Sequence, residues 1–233
     1  MIKTGFSRID EEITFHPGEV IIVGARPSMG KSTFISQIAK NVAEQNFNVD
    51  YWDFEGSLER RLCGIPKNIR MRSLEYDIRE IYPDDDLAKV VFVDYIQAYA
   101  KGDKRYRHLD ISDIICRLKE RAVADGSIIF VCSQISKEVD VSLGHRPMLN
   151  HLSCSSSLCE VSDKVILILR RDYYDPLDKP NTAEIILAKN RAGKAMTAIL
   201  SFYPEEGGFC DYCRKDSLTK DEIPEAFALF VPN

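Results

Sequence analysis

A chain of 233 residues suits one α/β domain and leaves little room for two. Its 45% hydrophobic and 29% charged residues are an ordinary globular balance, enough to bury a core without disulfide or metal staples. A net charge of -5 excludes a protein coated in basic surface for nucleic acid, but not a local basic groove or a channel built by several copies.

The seven cysteines are odd in number and scattered. Cys116 and Cys132 lie inside apolar runs and read as reduced core thiols. The start, Met1 to Phe6, lacks the apolar run and small-residue cleavage site of a signal peptide. The longest apolar run, Val165 to Leu169, is too short to span a bilayer. The expectation is a soluble protein of a reducing cytoplasm with no membrane partner.

Residues Lys3 to Gly18 are polar and mixed, and Pro17-Gly18 forms a turn. Glu19 to Val23 is a nearly continuous apolar run, the pattern of a parallel strand buried on both faces. A helix follows, with Phe34, Ile38, Ala39 and Val42 on one stripe, broken at Asn46 to Asn48. The next strand, Val49 to Phe54, ends in Glu55-Gly56-Ser57, and a second helix can begin at Leu58. Residues Gly64 to Asp86 are the least regular, with Lys67, Arg70 and Arg72 close together. Lys89 to Val93 is another apolar strand, ending at Asp94. A polar, basic loop runs from Lys101 to His108. An amphipathic helix follows, with Ile111, Ile114, Ile115, Leu118 and Ala122 on one stripe, stopped at Gly126. Ser127 to Cys132, Val165 to Leu169, Glu184 to Ala188 and Thr197 to Phe202 complete the strands. Residues 204–233 read as an irregular tail. Strands alternate with helices early and dominate late. The fold expected is α/β, a mostly parallel central sheet flanked by helices, with antiparallel strands at the C-terminal end.

The chemistry concentrates after the first strand. Ala25-Arg26-Pro27-Ser28-Met29-Gly30-Lys31-Ser32, followed by Thr33, has the spacing of a phosphate loop, with alanine where the stricter pattern has glycine. Such a loop turns backbone N–H groups around a phosphate with a helix N-terminus behind it. Lys31 would reach the β- and γ-phosphates of ATP, and the Ser32 hydroxyl would hold Mg²⁺. The competing reading, a chance Gly-Lys-Ser, fits the strand-loop-helix context poorly. Asp94, Glu55 and Gln134 each fall at the C-terminal end of a predicted strand, the edge where open α/β sheets bind ligands. Asp94 would orient Mg²⁺ and its water. Glu55 could act as general base, although a helix-start carboxylate is common without function. Gln134 could sense the γ-phosphate, or serve as a turn amide.

Two further features stay open. Lys101, Lys104, Arg105 and Arg107, with Tyr106 and His108, could grip nucleic-acid phosphates and stack a base, although the residues alone favour a solvated loop tip. Cys210-x-x-Cys213 is half of a zinc-site spacing, but the reading adopted is reduced surface thiols.

The chain resembles the C-terminal, RecA-like motor domain of DnaB-type replicative helicases. Thr4-Gly5-Phe6, the loop Gly24 to Ser32, Val93-Asp94-Tyr95-Ile96-Gln97, Ser133-Gln134, Arg146-Pro147-Met148-Leu149 and Lys189-Asn190-Arg191 occur in that family's order. The resemblance implies hydrolysis of ATP with Mg²⁺, with Lys31, Ser32, Glu55, Asp94 and Gln134 in the roles above. It implies that Lys189 and Arg191 reach the neighbouring subunit's site, Arg191 as an arginine finger. It therefore implies a homo-oligomeric ring, usually a hexamer, moving 5′–3′ on single-stranded DNA alongside other replication proteins. The family's N-terminal domain and linker helix have no counterpart in this sequence. The family's Arg-Glu pair in a DNA-gripping loop is replaced by Ser153-Cys154, a neutral pair that makes no charge-assisted phosphate contact. Arg146 and the basic loop are the compensating candidates. Non-motor alternatives are a nucleotide-binding module that docks on or loads a helicase, and a recombinase-like filament ATPase.

Overall fold

The computed structural model describes residues 1–54, 56, 58–62, 64–72, 90–100, 107–152 and 155–212. Among the described residues the strands form one nine-stranded sheet, ordered β3-β2-β4-β5-β1-β6-β7-β8-β9. These are β1 (Val20–Ala25), β2 (Val49–Asp53), β3 (Ile69–Arg72), β4 (Val90–Asp94), β5 (Ile128–Gln134), β6 (Lys164–Leu169), β7 (Thr182–Asn190), β8 (Met196–Tyr203) and β9 (Gly208–Asp211). Strands β3, β2, β4, β5, β1 and β6 run parallel, and β7, β8 and β9 add antiparallel.

Alternation along β1 explains its uninterrupted apolar run. Ile21, Val23 and Ala25 point into one core with Phe34, Ile35, Ile38 and Val42 of helix α2 (Lys31–Glu44). Val20 and Ile22 point into the other, against Ile111, Ile114, Ile115 and Leu118 of helix α5 (Arg107–Asp125). Both faces are thus covered, as parallel sheets require. Tyr51, Phe92 and Phe130 stack across the α2 face, Tyr51–Phe92 at 5.8 Å and Phe92–Phe130 at 5.0 Å between centroids, and Phe15 packs tilted on Phe130 at 5.3 Å.

Several details differ from the sequence reading. Residues 3–18 contain helix α1 (Ser7–Glu12), held by a long-range cap: Ser7 N–H donates to the Asp211 carboxylate at 2.9 Å. Thr4-Gly5-Phe6 docks this segment on α2. Asp10 accepts from the Thr4 and Gly5 amides, Asn41 Nδ2 donates to Thr4 O at 2.7 Å, and Phe6 stacks on Phe34 at 5.4 Å. The least regular stretch of the sequence contains β3. Its Ile-Arg-Met-Arg sequence has no apolar run because β3 is an edge strand among the described residues, pinned by the bidentate pair of Arg70 with Asp50 of β2 at 2.6 and 3.0 Å. The tail is not irregular from residue 204, because β9 docks on α2. Gln37 Nε2 donates to Phe209 O, and Phe209 N–H donates to Gln37 Oε1, both at 2.9 Å. Cys116 is exposed, not a core thiol, since Ile114, Ile115 and Leu118 take the inward phase of α5; Cys132 is buried as expected.

Candidate nucleotide-binding site

The site is built at the C-terminal edge of the parallel strands. Ala25, the last residue of β1, is in register with Gln134, the last of β5, and Ile135 N–H donates to Ala25 O at 3.2 Å. The loop then climbs away. Ser28 adopts φ 63°, and Gly30 adopts φ 89° as the N-cap of α2. Gly30 is demanded twice. Its backbone is left-handed, and a Cβ there would lie 2.9 Å from Phe209 and 3.0 Å from Phe202. The first-turn N–H groups of α2 open toward the loop, the arrangement that receives an anion.

Asp94 ends β4 and is fully buried. Lys31 Nζ lies 3.5 Å from its Oδ1 and Arg61 Nη1 lies 3.4 Å from its Oδ2, with the Tyr51 hydroxyl donating at 3.5 Å. Lys31 also sits over the Tyr95 ring at 5.1 Å. Burial first, then the Asp94 charge, pushes both the Tyr51 phenol and the Cys132 thiol well above their ordinary pKa values. Asp94 Oδ1 makes no hydrogen bond although it is buried. A buried carboxylate oxygen with no hydrogen bond, 3.5 Å from the ammonium of the phosphate-loop Lys31, fits a hard cation that prefers oxygen ligands.

A cleft of about 440 Å³ opens over the loop, lined by Arg26 to Ser28, Gly30 to Thr33 and Gln134, and also by Arg61, Arg170, Phe202 and Pro204. The last four were missed by sequence reasoning. Arg170 was findable: it follows β6, which neighbours β1, and so reaches the same sheet edge. Its guanidinium lies 4.2 Å from the Phe202 ring and donates to Ser28 O at 3.3 Å. Arg61 comes from the four-residue helix α3 (Leu58–Arg61), and no spacing signal marks it. Gln97 ties two of the motifs together. Its Nε2 donates to Ser133 Oγ at 2.8 Å and its Oε1 accepts from Gln134 N–H at 3.3 Å.

Glu55, Lys101, Lys104, Arg105, Ser153, Cys154 and Cys213 lie outside the described residues, and Arg107 contributes only its backbone at the start of α5. Cys210 is on β9. Among the described residues no group of three or more His, Cys, Asp or Glu could hold a metal. Arg146 is half-exposed and engaged by Glu184 and, at 3.1 Å, by Thr197 Oγ1, so a phosphate would compete with an existing ion pair. Lys189 and Arg191 are at the other edge of the sheet. Lys189 donates to the carbonyls of Cys159 and Ser162, and Arg191 to Glu160 O and, at 3.3 Å, to Asp163. Arg191 N–H bonds Asp163 O, and Asp163 N–H bonds Val20 O. Arg191 is therefore level with Val20, five positions before Ala25, or about 16 Å from the phosphate loop along the strand. It does not serve the loop of its own chain in this arrangement.

A parallel sheet with a phosphate loop after its central strand, an acid ending β4 and antiparallel strands added beyond β6 defines a RecA-like phosphate-loop domain. The family described as "DnaB-like helicase C terminal domain" matches residues 1–64 and 61–211, so the chain belongs to that family. It is 28% identical over 251 residues to a probable plasmid replicative DNA helicase of Chlamydia psittaci, covering 89% of this chain and 55% of that protein. It is 29% identical over 260 residues to the replicative DNA helicase DnaB of Geobacillus stearothermophilus, covering 92% and 57%. The chain thus spans little more than half the length of these curated relatives. A solved structure of a DnaB-like replicative helicase, described with its primase interactions, shares the fold, with a TM-score of 0.80 at 24% identity, covering 91% of this chain and 63% of that one.

Proposed function

We propose that residues 1–233 are a single RecA-like ATPase domain, the motor of a DnaB-like helicase that hydrolyses ATP on single-stranded DNA in replication. One observation carries the reading: buried Asp94 offers an oxygen without a hydrogen bond beside Lys31 and the phosphate loop, while Arg191 stands at the opposite edge of the same sheet. Residues Ala25 to Thr33 cradle the phosphates. Lys31 neutralises charge developing on the β- and γ-oxygens, which is the main task in phosphoryl transfer. Ser32 and Asp94 would hold Mg²⁺, which would supply positive charge against the phosphates. Glu55 takes the proton of the attacking water, and Gln134 follows the γ-phosphate. Lys189 and Arg191 complete the site of a neighbouring copy, which makes the active form a homo-oligomeric ring, by family precedent a hexamer. A heterologous interface of this kind closes into a ring when its rotation closes. Lys101, Lys104, Arg105, Arg107 and Arg146 supply the DNA-facing charge. Movement is 5′–3′, in the cytoplasm, with other replication proteins as partners. No helix of the described residues is long and apolar enough to cross a membrane.

The test is ATP hydrolysis by the full chain with and without single-stranded DNA. Hydrolysis stimulated by DNA and abolished in Lys31→Ala supports the reading. Absence of hydrolysis from an assembled sample, or a rate unchanged by Lys31→Ala, refutes it.

A further inference from the structure

Arg26 is a phosphate-loop side chain whose partners lie outside the nucleotide cleft. Its guanidinium forms a bidentate pair with Asp140, Nε to Oδ1 at 3.1 Å and Nη2 to Oδ2 at 2.8 Å, and Nη1 donates to Ile135 O at 3.3 Å. Asp140 belongs to the 3₁₀ turn Lys137–Val141, in the excursion that follows β5. That excursion is closed at its base by the Ile135–Leu152 bridge and by Ser136 N–H donating to His151 O at 2.6 Å. Between these anchors it carries 3₁₀ turns at 137–141, 143–145 and 149–151, with no strand or α-helix to hold it.

The pair does not end at Asp140. The Tyr174 hydroxyl donates to Asp140 Oδ1 at 2.9 Å, and the Tyr174 ring stacks on His145 at 3.9 Å and 13°. His145 is held at φ 51° after Gly144 at φ 68°, so two successive residues occupy the left-handed region that an ordinary side chain disfavours. Arg26 holds the Asp140 carboxyl below its ordinary pKa, and burial followed by the Asp140 hydrogen bond raises that of the Tyr174 phenol. The carboxylate is thus the charged hub of a chain running from phosphate loop to excursion. Val141 and Leu143, beside the hub, are almost fully exposed, at 88% and 102%.

A phosphate loop binds an anion through its backbone N–H groups, and this loop has two side-chain shoulders, Arg26 on Asp140 and Arg170 on Ser28 O. Arg170 returns to the sheet through Asp172 and Phe202. Arg26 leads instead to the excursion. We propose that the Arg26–Asp140 pair, with Tyr174 and His145 behind it, is a latch that makes the conformation of residues 137–151 depend on occupancy of the phosphate loop. Asp140 and Tyr174 are positioning residues in this role: they touch no nucleotide but set where Arg26 stands. The latch joins two sites through one element that both bias, so the dependence runs both ways. The inference rests on the nucleotide reading above.

Amide hydrogen exchange across 137–151, measured on the full chain with and without saturating Mg²⁺ and a non-hydrolysable ATP analogue, tests it. Analogue binding is measured separately by titration. In the unsubstituted protein the analogue should slow exchange in this segment by about tenfold. Asp140→Asn and Tyr174→Phe should still bind the analogue, with affinity changed by no more than about tenfold, yet at saturation slow exchange less than about twofold, and Asp140→Glu should restore the response. A merely structural role would raise exchange equally in both states and leave the nucleotide-dependent difference intact; that result overturns the latch, as does an unresponsive segment in a protein that binds. Failure of the analogue to bind at all refutes the nucleotide reading and the latch with it. If Asp140→Asn does not fold, Tyr174→Phe decides, since it removes one hydroxyl and keeps the ring on His145.

Discussion

Replacing Gly30 by alanine tests the geometry of the loop most sharply. The added methyl forces an L-residue to φ 89° and enters a space where Phe209 Cζ and Phe202 Cε2 stand at 2.9 and 3.0 Å. The left-handed backbone costs about 1–2 kcal/mol, and displacing two packed aromatic rings adds about 1–3 kcal/mol. The sum, about 2–5 kcal/mol, should lower the thermal midpoint by roughly 5–20 °C in a domain of this size. Gly144→Ala is the matched control, because Gly144 also has positive φ, 68°, but nothing lies within 4 Å of its Cβ position. Thermal unfolding by circular dichroism on both variants separates the backbone part from the packing part. The loop must also shift to relieve the contact, so Mg²⁺·ATP-analogue affinity should fall at least about tenfold in Gly30→Ala. Equal thermal losses in the two variants, or unchanged affinity in Gly30→Ala, would refute the claim that the ring pair from β8 and β9 shapes the loop.

Asp163 accepts from Val20 N–H at 2.8 Å, Lys119 at 2.7 Å and Arg191 at 3.3 Å. Burial pushes its pKa up, but the Lys119 and Val20 hydrogen bonds and the Lys119 and Arg191 charges outweigh this, and the net direction is down. A depressed folded-state pKa stabilises above the unfolded value and is lost as pH falls through the folded one. Asp163→Asn should therefore cost about 2–3 kcal/mol at neutral pH, measured by urea unfolding, and the gap should close as pH drops below 3.8, the ordinary carboxyl value. A gap that persists undiminished in acid would contradict the assignment. Gln37→Ala removes both hydrogen bonds to Phe209 and should cost about 1–3 kcal/mol, with exchange rising first in β9; uniform exchange changes would argue against a docked β9.

The parallel core was legible because buried parallel strands write themselves as apolar runs, and β1, β4 and β5 each stand within two residues of their expected bounds. Strand β3 was hidden by its edge position, where Arg70 and Arg72 serve Asp50 and no apolar run forms. Strand β9 was hidden by distance, since Gln37 and Phe209 are 172 positions apart. The loop, Asp94 and Gln134 were readable from strand-end placement. Arg61, Phe202 and Pro204 were not, because only the closed sheet brings them over the loop. The phase of α5 could have exposed Cys116, which lies off the stripe of Ile111, Ile115, Leu118 and Ala122.

The proposed function requires a nucleotide site shared between copies, with the phosphate loop from one and Arg191 from the next. Mixing Lys31→Ala protein with Arg191→Ala protein tests it directly. Each alone should lack hydrolysis, one without its phosphate contact and the other without its finger. In an equal mixture that assembles at random, about a quarter of the heterologous interfaces join an intact loop to an intact finger. Hydrolysis should recover toward that fraction; a mixture that forms mixed assemblies by mass and stays as inactive as its components would contradict a shared site.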